Sequence, residues 1–153
     1  MTSRARLVLE DVRAAAKELP RLQAGPHDEP TIRRRWIAVM ALLRAVGHVL
    51  KEVDYKSSDA LARAINQKWA DPKPIIYTEF IDKYRHAVIK RYEQPHVDFD
   101  KIMGTLYPRL NVEYDGRVGV SVNYLIEEAV RYWEDYLDDI DHRAACCKLG
   151  TQT

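Results

Sequence analysis

Residues 33–53, RRRWIAVMALLRAVGHVLKEV, constrain the fold more than any other stretch of this chain. Trp36, Val39, Met40, Leu43, Val46, Leu50 and Val53 recur at three- and four-residue spacing, the period of one helix face. Ile37, Ala41, Ala45 and Val49 make a second side apolar too. A helix that is apolar on two sides must be enclosed by others, so the chain is expected to pack as a bundle around this segment. Two polar residues interrupt it. Arg44 and His48 are four apart and share one face, and Gly47 between them lacks a Cβ, so close approach of a neighbouring backbone is expected there.

The other helical patterns supply the enclosure. Leu7, Val8, Val12, Ala15, Ala16 and Leu19 predict a first helix over 3–19, ended by Pro20 and followed by a Gly25-Pro26 loop. Thr31, after Pro30, is the expected N-cap of the central helix. Ser58 or Ser57 should cap a third helix over 59–69, with Leu61, Ile65 and Trp69 on one side. Pro72 and Pro74 force a break. A fourth helix is expected over 75–93, with Tyr77, Phe80, Ile81, Tyr84, Val88 and Tyr92 as an aromatic-rich core stripe, stopped by Pro95. The period then becomes two. LNVEY, Asp115-Gly116 and RVGVSV form a hairpin signal over 110–122. Asn123 is the expected cap of a last helix whose core face is Leu125, Ala129, Tyr132, Trp133, Tyr136, Leu137 and Ile140. The expected fold is mainly α: a four- to five-helix bundle with one small β-hairpin before the C-terminal helix, in a single domain spanning 1–153.

Charge excludes a polyelectrolyte role. There are 24 basic and 23 acidic residues in 153, a net +1, so bulk charge advertises neither nucleic acid nor membrane. The distribution is uneven, with Arg33, Arg34 and Arg35 opening the central helix and Glu134, Asp135, Asp138, Asp139 and Asp141 making the last helix acidic. These are expected to be solvated or to pair with each other. The adjacent Cys146 and Cys147 have neither disulfide-framework nor zinc-ligand spacing and read as reduced thiols. The apolar run 36–43 is too short to cross a bilayer, and a cytoplasmic protein is expected. No phosphate loop, dinucleotide fingerprint, HExxH or nucleophile elbow is present in the sequence. Glu93 with His96, and Asp139 with His142, have a di-iron-like spacing, but Pro95 breaks the first pair and the second falls on an acidic helix end; no metal or other cofactor is expected.

Two constellations remain for chemistry. Arg44 in an apolar helix needs a carboxylate or a crevice, and His48 either bonds Glu52 one turn on or joins Arg44 in a polar pocket. Arg85 and His86 sit inside the fourth helix, where Asp82 is available to Arg85 as an i−3 partner. Most aromatics should pack in the core; Tyr92 and Tyr107 are of a type that can also stack on bases, with nothing in the sequence to single them out.

The segment FIDKYRHAVIKRYE resembles the signature region of the HEPN superfamily of helical-bundle proteins, many of which are RNases of toxin–antitoxin and defence systems. The family motif is an arginine followed by Asn, Asp or His, then a histidine after four to six residues. Arg85 and His86 match its first part. Lys90, Arg91 and Tyr92 stand where the histidine is expected. The resemblance implies a metal-independent RNase effector, or an RNA-binding relative that has lost catalysis, dimeric and with Arg85 on the scissile phosphate, His86 orienting or exchanging a proton, and Lys90 adding phosphate charge. Arg44 and His48 would belong to the same pocket. The alternative is a non-catalytic interaction module, whose hairpin and acidic last helix dock a protein encoded nearby.

Overall fold

The computed structural model describes residues 1–24, 29–93, 95–102 and 105–149. The chain folds as a mainly α bundle: α1 (Ser3–Ala24), α2 (Glu29–Glu52), a 3-10 turn (Asp54–Ser57), α3 (Asp59–Ala70), a π-helical segment (Ile76–Asp82) running directly into α4 (Lys83–Arg91), strands β1 (His96–Ile102), β2 (Thr105–Tyr114) and β3 (Arg117–Ser121), and α5 (Val122–Leu149). The Gly25-Pro26 loop lies outside the described residues.

The central helix is enclosed as its two-sided pattern requires. Trp36, Val39, Met40, Leu43, Val46 and Leu50 are fully buried and join Leu9, Leu19, Ile65, Phe80, Leu125 and Trp133 in one core. Val53 falls beyond the helix end and is exposed. α1 differs from expectation, because it continues through Pro20 to Ala24. Proline removes one amide donor, but Pro20 is exposed, and continuing the helix lets Leu22 pack on the core behind the buried Leu19. α2 starts at Glu29, with Pro30 in its first turn where no donor is needed. Ser58 caps α3 as expected, accepting from the Leu61 amide.

The hairpin is present, with Asp115 and Gly116 both at positive φ (51° and 70°), the turn that matches strand twist. β3 carries one extra residue against β2 at Gly119, whose φ of 77° suits glycine alone. The sheet has a third strand that the hairpin expectation lacked: β1 pairs antiparallel with β2, in the order β1-β2-β3. α5 begins at Val122, so Asn123 sits inside its first turn rather than at its cap.

Two carboxylates receive the start of α1. Asp54 is buried and accepts from the amides of Arg4 (3.0 Å) and Ala5 (2.8 Å). Asp141 of α5 accepts from the Thr2 amide (2.7 Å) and hydroxyl, and from Arg6. The acidic face of α5 is therefore not paired with 33–35. Asp138 and Asp141 take Arg6, Glu134 takes Arg13, and Asp139 takes Lys68 (2.7 Å) and Arg143, while Arg35 pairs with Glu18.

The Arg143 guanidinium, and then Lys68, hold the Asp139 carboxyl below the usual aspartate range. A carboxyl depressed in the folded state contributes stability above its unfolded pKa and loses it as pH falls through the folded value. Asp139→Asn is therefore expected to lower the urea midpoint at pH 7, with the gap to wild type closing as the pH falls below the usual aspartate range. An unchanged gap at that acidity would show that the pair does not stabilise the fold through its charge.

Candidate functional site

Three of the residues singled out for chemistry, Arg44, Arg85 and His86, come together where α2 crosses the junction between the π segment and α4. Ring packing fixes that crossing: Trp36 of α2 meets Phe80 at 6.1 Å and Tyr84 at 6.3 Å between centroids, and Phe80 meets Tyr84 at 5.9 Å. Ala87 and Val88 bury the inner side of α4, and the Tyr84 hydroxyl donates to the Glu113 carbonyl of β2 (2.5 Å). The opposite side of α4 carries Arg85 and His86, partly exposed, and Ile89 and Lys90, exposed.

Asp82 is the hub of the cluster. Its Oδ1 is 3.9 Å from Arg44 Nε and 3.7 Å from His86 Nδ1. The Arg44 contact is an ion pair beyond hydrogen-bond reach, and Arg44 Nε is buried with no hydrogen bond. Behind them, burial pushes the Tyr77 phenol up, and Arg44 draws it partly back down. Asp82 does not take Arg85, whose partner is the neighbouring imidazole.

The geometry of that pair is informative. His86 Nδ1 is 2.9 Å from the Asp82 backbone carbonyl. A carbonyl only accepts, so we assign the proton to Nδ1 and the ring lone pair to Nε2. Arg85 Nη1 lies 3.2 Å from Nε2 and 3.4 Å from Nδ1. Near-equal distances place it over the ring face, because an in-plane approach midway between the nitrogens would collide with Cε1. Arg85 Nη1 therefore sits over the face of the imidazole and leaves the in-plane lone pair of Nε2 to another donor. The π winding matters here. It ends at Asp82, the residue that holds His86 through its carbonyl and faces Arg44 through its carboxylate. Inserted turns of this kind recur at functional sites.

Lys90, one turn beyond His86, is exposed on the same side. His48 is exposed one turn past Arg44, and Glu52 pairs with Lys56 rather than with His48 (3.8 Å). Arg44 thus joins Arg85 and His86, whereas His48 makes no described contact with them. Gly47 does admit a close neighbour, but a side chain rather than a backbone: a Cβ there would stand 2.9 Å from Trp133 Cη2 and 3.2 Å from Trp69 Cη2.

A cavity of about 460 Å³ lies elsewhere, between α1 and α5, floored by Ala16, Pro20, Ile126 and Val130. Its rim cations are largely paired, Arg13 with Glu134 and Arg131 with Glu128. Among the described residues no three of His, Cys, Asp and Glu gather as a metal site. Asp139 is taken by cations, His142 Nε2 is 3.8 Å from Cys146 Sγ, and the side chains of His96 and Tyr107 lie outside those described. Neither cysteine is in a disulfide, and no described helix is long and apolar enough to cross a membrane. Comparison with family models, with curated proteins and with solved structures finds no match to this chain.

Proposed function

We propose that this protein binds RNA through the α2–α4 face and cleaves it without a metal, in the manner of a divergent HEPN-like effector. The observation that carries the reading is the Arg85–His86 pair. An imidazole whose Nδ1 donates to the Asp82 carbonyl, with its Nε2 lone pair left open in the ring plane, is a proton acceptor of the kind general-base catalysis uses. The guanidinium beside it is a ligand whose planar fork of donors suits a phosphate. In the cleavage step His86 Nε2 takes the proton of a ribose 2′-hydroxyl, whose oxygen bonds to the adjacent phosphorus. The 5′-oxygen of the next nucleotide leaves, taking a proton from solvent or from the imidazolium. Arg85 and Lys90 hold the extra negative charge of the phosphorane. Where catalysis is lost, the same groups serve RNA binding alone.

The test is incubation of purified protein with total bacterial RNA in EDTA, beside a folded Arg85→Ala variant. Wild type should cleave, and the variant should be slower by about a hundred-fold or more, the cost of removing a charge-stabilising donor. RNA binding without cleavage assigns the non-catalytic relative. Neither binding nor cleavage moves the assignment to the protein-interaction module and sends the search to a pull-down.

A further inference from the structure

The fourth helix ends in an unusual way. Tyr92 adopts φ 56°, ψ 31°, the left-handed conformation that helix ends ordinarily give to glycine, and its amide and that of Glu93 both bond the Ala87 carbonyl. Its place in the aromatic stripe predicts core packing, yet the residue is 63% exposed. A bulky side chain in a conformation that glycine adopts freely, with its ring turned to water, is an outlier of the sort that gathers at ligand contacts.

Its surroundings are cationic. Arg33 Cζ lies 5.8 Å from the Tyr92 ring centroid, and Arg33 Nε is buried without a hydrogen bond. Arg85, Ile89 and Tyr92 are spaced i, i+4, i+7 and form one line along α4, with His86 and Lys90 beside it. Arg6, Arg13, Arg35, Arg131 and Arg143 all have carboxylate partners, as do Arg44 through Asp82 and Arg91 through Glu93. Among the described residues Arg33, Arg85 and Lys90 have no carboxylate partner, a state they share with Arg4, Lys17 and Arg63, but here three such cations border one exposed aromatic ring.

From these observations we infer that Tyr92, backed by Arg33, is a base-stacking platform that seats a single-stranded RNA next to Arg85 and His86. The inference rests on the RNA reading of that site. Exposed rings flanked by unpaired cations fit a strand that offers both π faces and phosphates. Seven residues of helix separate Arg85 from Tyr92, about 10 Å of axis. That is the reach of two to three stacked nucleotides at about 3.4 Å each. A second copy of the chain is a poorer occupant, because a two-fold contact here would bring Arg33, Arg85 and Lys90 against their own copies.

The test uses the full chain and a fluorescein-labelled single-stranded 2′-O-methyl RNA, which lacks the attacking hydroxyl and so reports binding alone. Tyr92→Gly should melt no lower than wild type, since glycine is at ease at this φ, yet bind the RNA roughly five- to a hundred-fold more weakly. Tyr92→Trp should restore binding. The salt dependence should be the same for Tyr92→Gly as for wild type, because stacking releases no counterions, and shallower for Lys90→Gln. Wild-type binding with an unchanged Tyr92→Gly would overturn the platform while leaving the Arg85–His86 site standing. Absence of wild-type binding would overturn both. Loss of a wild-type dimer in Tyr92→Gly, read by light scattering, would assign the face to a second copy and overturn the platform.

Discussion

Trp133→Ala should lower the unfolding free energy by about 3–5 kcal/mol, the usual cost of emptying a fully buried tryptophan site. For a chain of this size that is a fall in Tm of about 6–20 °C, at roughly 2–4 °C per kcal/mol. Trp133 is completely buried and packs edge-on against Tyr77 at 6.0 Å and Tyr136 at 5.5 Å, so its loss loosens α5 from the π segment. Its indole nitrogen has no hydrogen bond, so truncation strands no polar partner and the cost is one of packing. The contact with Gly47 gives a sharper readout. In wild type, Gly47→Ala drives a methyl to 2.9 Å from Trp133 Cη2, the rigid end of a buried ring, and should destabilise by about 1–3 kcal/mol. In the Trp133→Ala background the closest clash is gone and only Trp69 Cη2, at 3.2 Å, has to give slightly, so the same change should stabilise by up to about 1 kcal/mol, the helix propensity of alanine over glycine. Thermal melts of the four proteins in this cycle check it. A Gly47→Ala effect of the same sign in both backgrounds would mean that Trp133 does not dictate the glycine.

That glycine shows what the amino-acid pattern could and could not carry. A small residue in an apolar helix signals close approach, but whether a backbone or an indole approaches is decided by α5, about ninety residues away. Periodicity located every helix because each buries one face, and α2 was legible in most detail because it buries two. It failed where local geometry overrode the period. Pro20 reads as a stop, yet Leu22 gains core contact by continuing the helix. Tyr92 sits at i+4 from Val88, on the core stripe, until a left-handed residue swings it outward. HVDFDKI alternates apolar and acidic residues through Val97, Asp98, Phe99 and Asp100, the period of a strand, and it forms β1, which the hairpin expectation did not include. At the candidate site the Arg85–His86 adjacency was visible. The grip of Asp82 on His86 was not, because the π winding that ends at Asp82 has no residue-type signature. Asp82 was legible only as a partner for Arg85, and the structure gives it instead to Arg44 and His86.

Asp54→Ala is the second large effect, and it concerns the start of α1 rather than the core. The carboxylate is buried and takes two amides, Arg4 and Ala5, from a helix some fifty residues distant in sequence. The first amides of a helix have no partner within it, and a carboxylate there also meets the positive end of the helix dipole. Removing it abolishes a cap, worth about 0.5–2 kcal/mol. It also leaves the buried Ala5 donor without an acceptor, which costs about 1–3 kcal/mol more. The expected loss is therefore about 1.5–5 kcal/mol, read from urea unfolding. Asp54→Asn keeps one acceptor oxygen while removing the charge, so it should lose about half as much. Hydrogen exchange separates this mechanism from general destabilisation: in Asp54→Ala the amides of Arg4 and Ala5 should exchange far faster, while those of Val39 to Leu43 in α2 slow or quicken only with global stability. Equal losses for the alanine and asparagine variants would show that the charge on Asp54, and not its hydrogen bonds, ties the 3-10 turn to α1.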